Sequence, residues 1–209
     1  MNHAGEAASQ PLREEDVDPD PFRQFAGWFA AAVQTGVAQA EAAAVATASP
    51  DGRPSVRMVL VKQADEDGFV FYTNYESRKG RDLAANPRAA LLFHWTVLGR
   101  QVRLEGPVHR TSREQSLIYA HSRPRRSQLS ALASPQSRPI DSHDGLEARV
   151  AELDERYAGA EIPLADSWGG FRLLPETFEF WQHRASRLHD RLLYTPRPGG
   201  GWKLERLAP

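Results

Sequence analysis

Between residues 20 and 36 apolar side chains recur at helical spacing. Phe22, Phe25, Ala26, Phe29 and Val33 form one stripe. Asp20 serves as N-cap, Pro21 takes the first helical position, and Gly36 supplies the stop. From residue 43 the period shortens to two. Residues 43–48 read as a short strand, Ser49-Pro-Asp-Gly-Arg-Pro54 as a turn with an Asp-Gly hairpin signal, and 56–62 as a strand rich in branched side chains. Residues 63–68 turn the chain, 69–73 return it, and further strands are expected at 89–95 and 101–106. Short strands at this spacing predict an antiparallel sheet or barrel, not βαβ units.

Helices interrupt the strands. Ser77 caps one over 78–85, which Asn86-Pro87 ends. Thr111-Ser112-Arg-Glu-Gln115 carries overlapping capping boxes and opens another, running to residue 120. Segment 122–139 is basic and hydroxyl-rich, with prolines at 124, 135 and 139, and reads as a long loop, either functional or a solvated linker. Asp144 is read as the cap of a helix with Leu146, Val150, Leu153 and Tyr157 on one face, closed by Gly159. A hairpin of 170–174 and 177–182 is expected across Pro175-Glu176, and strands 187–194 and 202–207 complete the chain. Residues 1–18 read as a disordered leader ahead of a single domain over 19–209. The class is α+β, mainly antiparallel β.

Composition removes several functions. The chain has 209 residues and a net charge of -1, so no overall field draws it to nucleic acid or an anionic membrane surface. No apolar run approaches the roughly 20 residues that a spanning helix needs, and no signal peptide is expected. The absence of cysteine excludes thiol chemistry and cysteine-ligated metals, and fits a reducing, cytoplasmic setting. Phosphate-binding glycine loops, the HExxH zinc helix and the GxSxG elbow are all missing, and the seven histidines show no metal spacing, so no metal is assigned.

What remains is a set of cations suited to phosphate: Arg57, Lys62, Arg78, Lys79, Arg123, Arg187 and Arg191. Tyr72, Thr73, Gln101, Tyr119, Ser127, Gln136 and Ser137 supply hydroxyls and amides. Arg78 and Lys79 fall in a first helical turn, where the macrodipole disfavours cations by roughly 0.3–1 kcal/mol each. A phosphate docked on the free N–H groups there reverses the sign; a tolerated surface pair is the alternative. Arg57 and Lys62 are an odd number apart, so a regular strand puts them on opposite faces, serving two phosphates or leaving one solvated. If 187–194 is a strand, Arg187, His189 and Arg191 share a face, with Leu188 on the other. With Trp181 upstream, that face suits an anionic planar ligand; an edge strand with solvated charges is the alternative.

Ten ordered motifs carry a resemblance: Arg57-Met-Val-Leu-Val-Lys62, Phe71-Tyr-Thr-Asn74, Ser77-Arg-Lys79, Arg100-Gln-Val102, His121-Ser-Arg-Pro124, Ser127-Gln128, Ser134-Pro-Gln-Ser137, Trp168-Gly-Gly170, Phe180-Trp-Gln182 and Arg187-Leu-His-Asp-Arg191. Together the chain resembles the pyridoxine/pyridoxamine 5'-phosphate oxidases. The resemblance implies a Greek-key-like split β-barrel with flanking helices, working as a homodimer with FMN at the subunit interface. It implies cofactor roles for Arg57, Met58, Val59, Leu60, Val61, Lys62, Tyr72, Thr73, Arg78, Lys79, Gln101, Gln136, Ser137, Trp181 and Arg191. It implies substrate roles for Lys62, Tyr119, Arg123, Ser127, Arg187, Leu188 and His189, with Arg187 and His189 catalytic. The implied reaction oxidises the 4' carbon of pyridoxine or pyridoxamine 5'-phosphate, passes a hydride to the flavin, and reduces O2 to hydrogen peroxide.

Three departures from the family pattern lie toward the substrate. The leader lacks the usual arginine-rich pattern, Leu132 stands where tryptophan is common, and His183 follows Phe180-Trp-Gln182 where glycine is usual. They keep two alternatives open: a related flavoenzyme acting on another planar metabolite such as a dihydrophenazine, and a non-catalytic flavin or B6-phosphate carrier.

Overall fold

The computed structural model describes residues 11–209. Helix α1 (Pro21–Gln34) starts where Asp20 and Pro21 place it: the Asp20 carboxylate accepts the Phe22 N–H at 2.9 Å. Its buried face is Phe25, Trp28 and Ala32, while Ala26 and Val33 of the expected stripe are exposed. Trp28 displaces the stripe because its bulk buries more area one turn on from Phe25.

Strands β1 (Ala42–Ala48), β2 (Pro54–Asp65), β3 (Gly68–Asn74), β4 (Arg88–Trp95), β5 (Arg100–Arg110) and β6 (Trp168–Leu173) form a closed antiparallel ring. The order is β4-β1-β2-β3-β6-β5, and β5 pairs back onto β4. β7 (Thr177–Gln182), β8 (Asp190–Pro196) and β9 (Trp202–Arg206) continue outward from β5. Alternate residues of these strands point into one core, including Val59, Val61, Phe69, Phe71, Phe93, Phe178, Phe180 and Tyr194. Phe25 of α1 plugs it, with ring centroids 4.8 Å from Phe69 and 5.0 Å from Phe93. Each such buried ring contributes about 1.5–3 kcal/mol.

The barrel splits along β5. Arg100 to Glu105 pair with β7, and Val108 to Arg110 pair with β6. The hairpin expected between 170–174 and 177–182 does not form, because both strands pair with β5 instead of each other. The crossing passes over Gly106, where an added Cβ would stand 1.9 Å from the Leu174 carbonyl oxygen. Backbone bonds from Leu174 N–H to Pro107 (2.9 Å) and from Glu176 N–H to Glu105 (2.8 Å) pin it.

The helices that frame the site are α2 (Arg78–Ala85), α3 (Arg113–Ser122), α4 (Arg125–Ala133) and α5 (His143–Arg156). Ser77 caps α2 and Ser112 caps α3, as their sequences require. Half of the expected loop at 122–139 is α4. Pro124 stands at its N-cap position, and Leu129 and Ala133 pack on Val150 and Ile162 in a second small core. Pro and hydroxyl content hid an i, i+4 pair that only α5 makes worth burying. The cap of α5 is Ser142, whose hydroxyl accepts the Gly145 N–H, instead of Asp144.

Residues 1–10 of the expected leader lie outside the described residues. From Pro11 the chain is docked on β8 and β9. Leu12 is buried, its N–H donates to Asp190 at 3.1 Å, and its carbonyl accepts from Arg206 at 2.7 Å. Arg206 also binds Glu14 and holds that carboxyl well below the usual carboxylate range.

Candidate functional site

A cleft of about 540 Å³ opens between β2, β3, α3 and α4. Lys62, Tyr72, Thr73, Tyr119, Arg123, Ser127 and Gln136 all line it. Seven residues expected to act together, drawn from four elements and two connecting segments, therefore meet in one place. Strand parity places Lys62 here: Leu60 and Lys62 face outward, while Val59 and Val61 face the core. The side chains of Val59 and Val61 belong to the barrel, so only their backbone atoms could meet a ligand. Met58 points outward and is 63% exposed.

Cations stand behind the Thr73 and Gln136 side of the cleft. Lys79 is buried, and its ammonium donates to Thr73 Oγ1 at 2.8 Å, Gln136 Oε1 at 3.3 Å and Ser77 Oγ at 3.4 Å. These acceptors are all neutral. Burial, reinforced by the nearby Arg57 charge, pulls the Lys79 pKa down to about 8. Arg57 reaches Thr47 Oγ1 at 2.8 Å and stands 3.9 Å from Asp82, whose carboxylate accepts the Thr47 hydroxyl at 2.7 Å. Desolvation lowers the Arg57 pKa too. Arg78 is exposed at the start of α2, and Ser137 holds a left-handed φ of 67° in the loop after α4. Gly80 allows this packing: an added Cβ would lie 2.1 Å from the Tyr75 carbonyl oxygen.

Arg123 lies deeper in the cleft. Its Nη1 is buried without a hydrogen-bond partner, and burial lowers its pKa. Gln128 holds the Arg123 carbonyl at 2.8 Å, and His121 clamps the preceding turn through Ile162 O at 3.0 Å and Glu161 at 2.7 Å. Lys62 at the rim pairs with Glu41 at 3.2 Å.

The other expected residues stand elsewhere in the chain. Gln101, Trp181 and Arg191 form one cross-strand row on β5, β7 and β8. None of them lines the cleft. Arg191 Nε donates to Glu179 at 2.7 Å, which raises its pKa, and Arg103 Nη2 donates to the same carboxylate at 2.6 Å.

The expected strand over 187–194 begins only at Asp190, so Arg187, His189 and Arg191 do not share a strand face. Arg187 closes a 3-10 turn, Ala185–Arg187, in which Ser186 and Arg187 both take left-handed φ values of 58° and 64°. That reversal breaks the alternation. Arg187 and Leu188 are exposed. His189 reaches Trp181 regardless, with ring centroids 4.6 Å apart, and its Nδ1 accepts the Arg184 N–H at 3.1 Å. His183 packs against the same imidazole at 5.1 Å, with the rings tilted by 42°.

Sequence reasoning gave no role to Asp82, Glu179 or Trp168. Asp82 had a signal, since it follows Lys79 by one helical turn. Glu179 had none, because its partners lie on two other strands. Trp168 stood inside a recognised motif without an assigned task.

Comparisons with known proteins agree with this geometry. A family model described as pyridoxamine 5'-phosphate oxidase matches residues 29–157, and one described as the pyridoxine 5'-phosphate oxidase C-terminal dimerisation region matches 168–209. The pyridoxine/pyridoxamine 5'-phosphate oxidase of Rubrobacter xylanophilus is 56% identical over 95% of this chain and 91% of its own length. That of Gluconobacter oxydans is 54% identical over 93% and 96%. Among solved structures, PhzG from Burkholderia lata, in complex with tetrahydrophenazine-1-carboxylic acid, matches with a TM-score of 0.89 at 31% identity, covering 97% of this chain and 100% of that one. Barrel, cleft and sequence likeness converge, and the chain belongs to the pyridoxine/pyridoxamine 5'-phosphate oxidase family.

Proposed function

We propose that this chain oxidises pyridoxine or pyridoxamine 5'-phosphate at the 4' carbon, with FMN as cofactor and O2 as electron acceptor, giving pyridoxal 5'-phosphate. The observation that carries the substrate is the convergence of Lys62, Tyr119, Arg123 and Ser127 on one cleft, with a buried Arg123 nitrogen that has no acceptor among the described residues. A substrate phosphate supplies that acceptor through a charge-assisted bond.

The residues present also fit FMN. Lys79 is a buried ammonium among neutral oxygens, with Arg57 and Arg78 beside it, so an anion is what Lys79 lacks. In this reading Arg57, Arg78, Lys79, Thr73, Gln136 and Ser137 hold its phosphate end. Leu60, Lys62 and Tyr72, with Gln101, Trp181 and Arg191, hold the rest. FMN supplies the two-electron redox chemistry when bound.

The chain's own residues bind and orient. Lys62, Tyr119, Arg123 and Ser127 grip the substrate phosphate and so fix the distance to the reacting carbon. Because His189 Nδ1 accepts a backbone N–H, its neutral ring carries hydrogen on Nε2, leaving a donor free for the substrate. Arg187, exposed beside it, completes the polar wall over the reacting substituent.

The surface supports the reading of a homodimer. Val56, Met58 and Leu60 are 68%, 63% and 38% exposed along one face of β2, beside Ala44 and Leu92 on the neighbouring strands. A second copy would cover this apolar face. It would also let one copy's β7–β8 row complete the other's cleft. No described helix is long and apolar enough to cross a membrane, and the cysteine-free composition suits the cytoplasm.

A second reading, an oxidase of a reduced phenazine, is favoured by the likeness to PhzG. The purified protein separates the two. It should carry yellow flavin absorbance and consume O2 with pyridoxine or pyridoxamine phosphate, but not with the unphosphorylated forms. A flavin-loaded protein that takes up O2 with a dihydrophenazine and with neither B6 phosphate would reject the main reading.

A further inference from the structure

Trp168 opens β6, two residues before Gly170, which faces Tyr72 across the β3–β6 ladder. Gly170 has no side chain, so the Tyr72 ring can lean over it. An added Cβ would stand 2.9 Å from Tyr72 Cε1 and 2.5 Å from Thr111 Oγ1. Leaning this way, Tyr72 stacks on its diagonal neighbour Trp168, with centroids 5.6 Å apart and planes at 13°. Tyr119 covers Tyr72 from α3 at 3.9 Å and 19°, and lies within 6° of the Trp168 plane. The result is a slab of three near-parallel rings along one wall of the cleft.

The Arg123 guanidinium sits over Trp168, 5.0 Å from the ring centroid. A half-buried guanidinium with an unpartnered nitrogen gains by swinging out to water unless something holds it. A carboxylate would hold it, but would also neutralise it and occupy its donors. The face of an indole attracts the charge and requires no oxygen acceptor.

We propose that Trp168 is a positioning residue for the phosphate end of the substrate, holding Arg123 in the cleft with its donors unspent. This rests on the reading of Arg123 as a phosphate ligand. The Trp168-Gly-Gly170 sequence is then one device: the indole fixes the arginine, and Gly170 admits the tyrosine that buttresses the indole.

The test uses the FMN-loaded protein with Trp168→Leu, Trp168→Phe, Arg123→Ala and the Trp168→Leu/Arg123→Ala pair. Trp168→Leu should raise the KM for pyridoxine phosphate roughly tenfold with little change in kcat, and Trp168→Phe should restore most of it. Binding of pyridoxal phosphate should weaken by the same factor while binding of unphosphorylated pyridoxal stays constant. In the Arg123→Ala background, Trp168→Leu should add little. Equal weakening toward pyridoxal and its phosphate, or full additivity in the double variant, would overturn the positioning role. If Arg123→Ala alone leaves the KM unchanged, the phosphate-ligand reading fails, whatever Trp168 does.

Discussion

Two regions of this chain gather arginine and lysine, and they treat charge in opposite ways. In and just behind the cleft, Arg123 and Lys79 are held by neutral groups, and desolvation draws both pKa values down, Lys79 to about 8. Along β7 and β8, Glu179 binds Arg191 at 2.7 Å and Arg103 at 2.6 Å, and the pKa of Arg191 rises. A buried cation without a counterion costs folding energy that an incoming anion can recover, which suits the cleft to an anionic ligand. A cation already paired is fixed before any ligand arrives, which suits a wall that orients a cofactor. Lys62 falls between the two cases, since it pairs with Glu41 only at the rim.

Arg123→Ala attacks the comparison where it is sharpest. It should lower kcat/KM for pyridoxine phosphate by about 100-fold, the loss of a charge-assisted bond to a desolvated anion. The apo protein's melting temperature should hold or rise, because an unpaired buried charge has been removed. Steady-state kinetics and thermal denaturation check both halves; a falling melting temperature would place Arg123 with the structural arginines instead.

Lys79→Met should weaken FMN about 30-fold, measured by quenching of flavin fluorescence. The pH dependence has a definite sign. Free Lys79 titrates near 8, and a bound phosphate raises that value. Wild-type affinity is therefore full below pH 8 and declines as pH rises above it; the Lys79→Met protein should lose this slope. The same depressed pKa makes burial of Lys79 destabilising below pH 8, a cost relieved between 8 and the ordinary lysine value.

Met58→Lys tests whether the two regions need a second copy. A charge in the middle of the exposed apolar face should shift sedimentation from dimer to monomer at micromolar concentration and weaken FMN about tenfold. Retained dimer would move the interface elsewhere.

Glu179→Gln should give the smallest functional effect and a clear structural one. Losing the shared carboxylate leaves Arg191 without an acidic partner among the described residues and Arg103 with Glu105 alone, and costs about 2 kcal/mol, lowering the melting temperature by roughly 4–8 °C. The KM for the phosphorylated substrate should stay near wild type, since Lys62, Tyr119, Arg123 and Ser127 make no contact with this pair.

The helix caps at Asp20, Ser77 and Ser112 were legible because a capping bond spans two or three residues. The opposite facing of Arg57 and Lys62 was legible because strand alternation is a local rule. The ordered motifs from Arg57 to Arg191 identified the family before any contact was known. Other features were decided only by the folded chain. Segment 187–194 looked like a strand by alternation, but two left-handed residues reverse it. Segment 122–139 looked like a loop, but α5 gives Leu129 and Ala133 a surface to bury against. The pairing of β6 and β7 with β5, over Gly106, joins residues some seventy positions apart in the chain. So does the choice of which cation receives a carboxylate: Glu179 reaches Arg103 on one strand and Arg191 on another, and among the described residues no carboxylate reaches Arg123. Local sequence sets caps and alternation because those bonds close within a turn or a step. Pairing and charge compensation depend on which distant segments become neighbours, and only the closed barrel settles that.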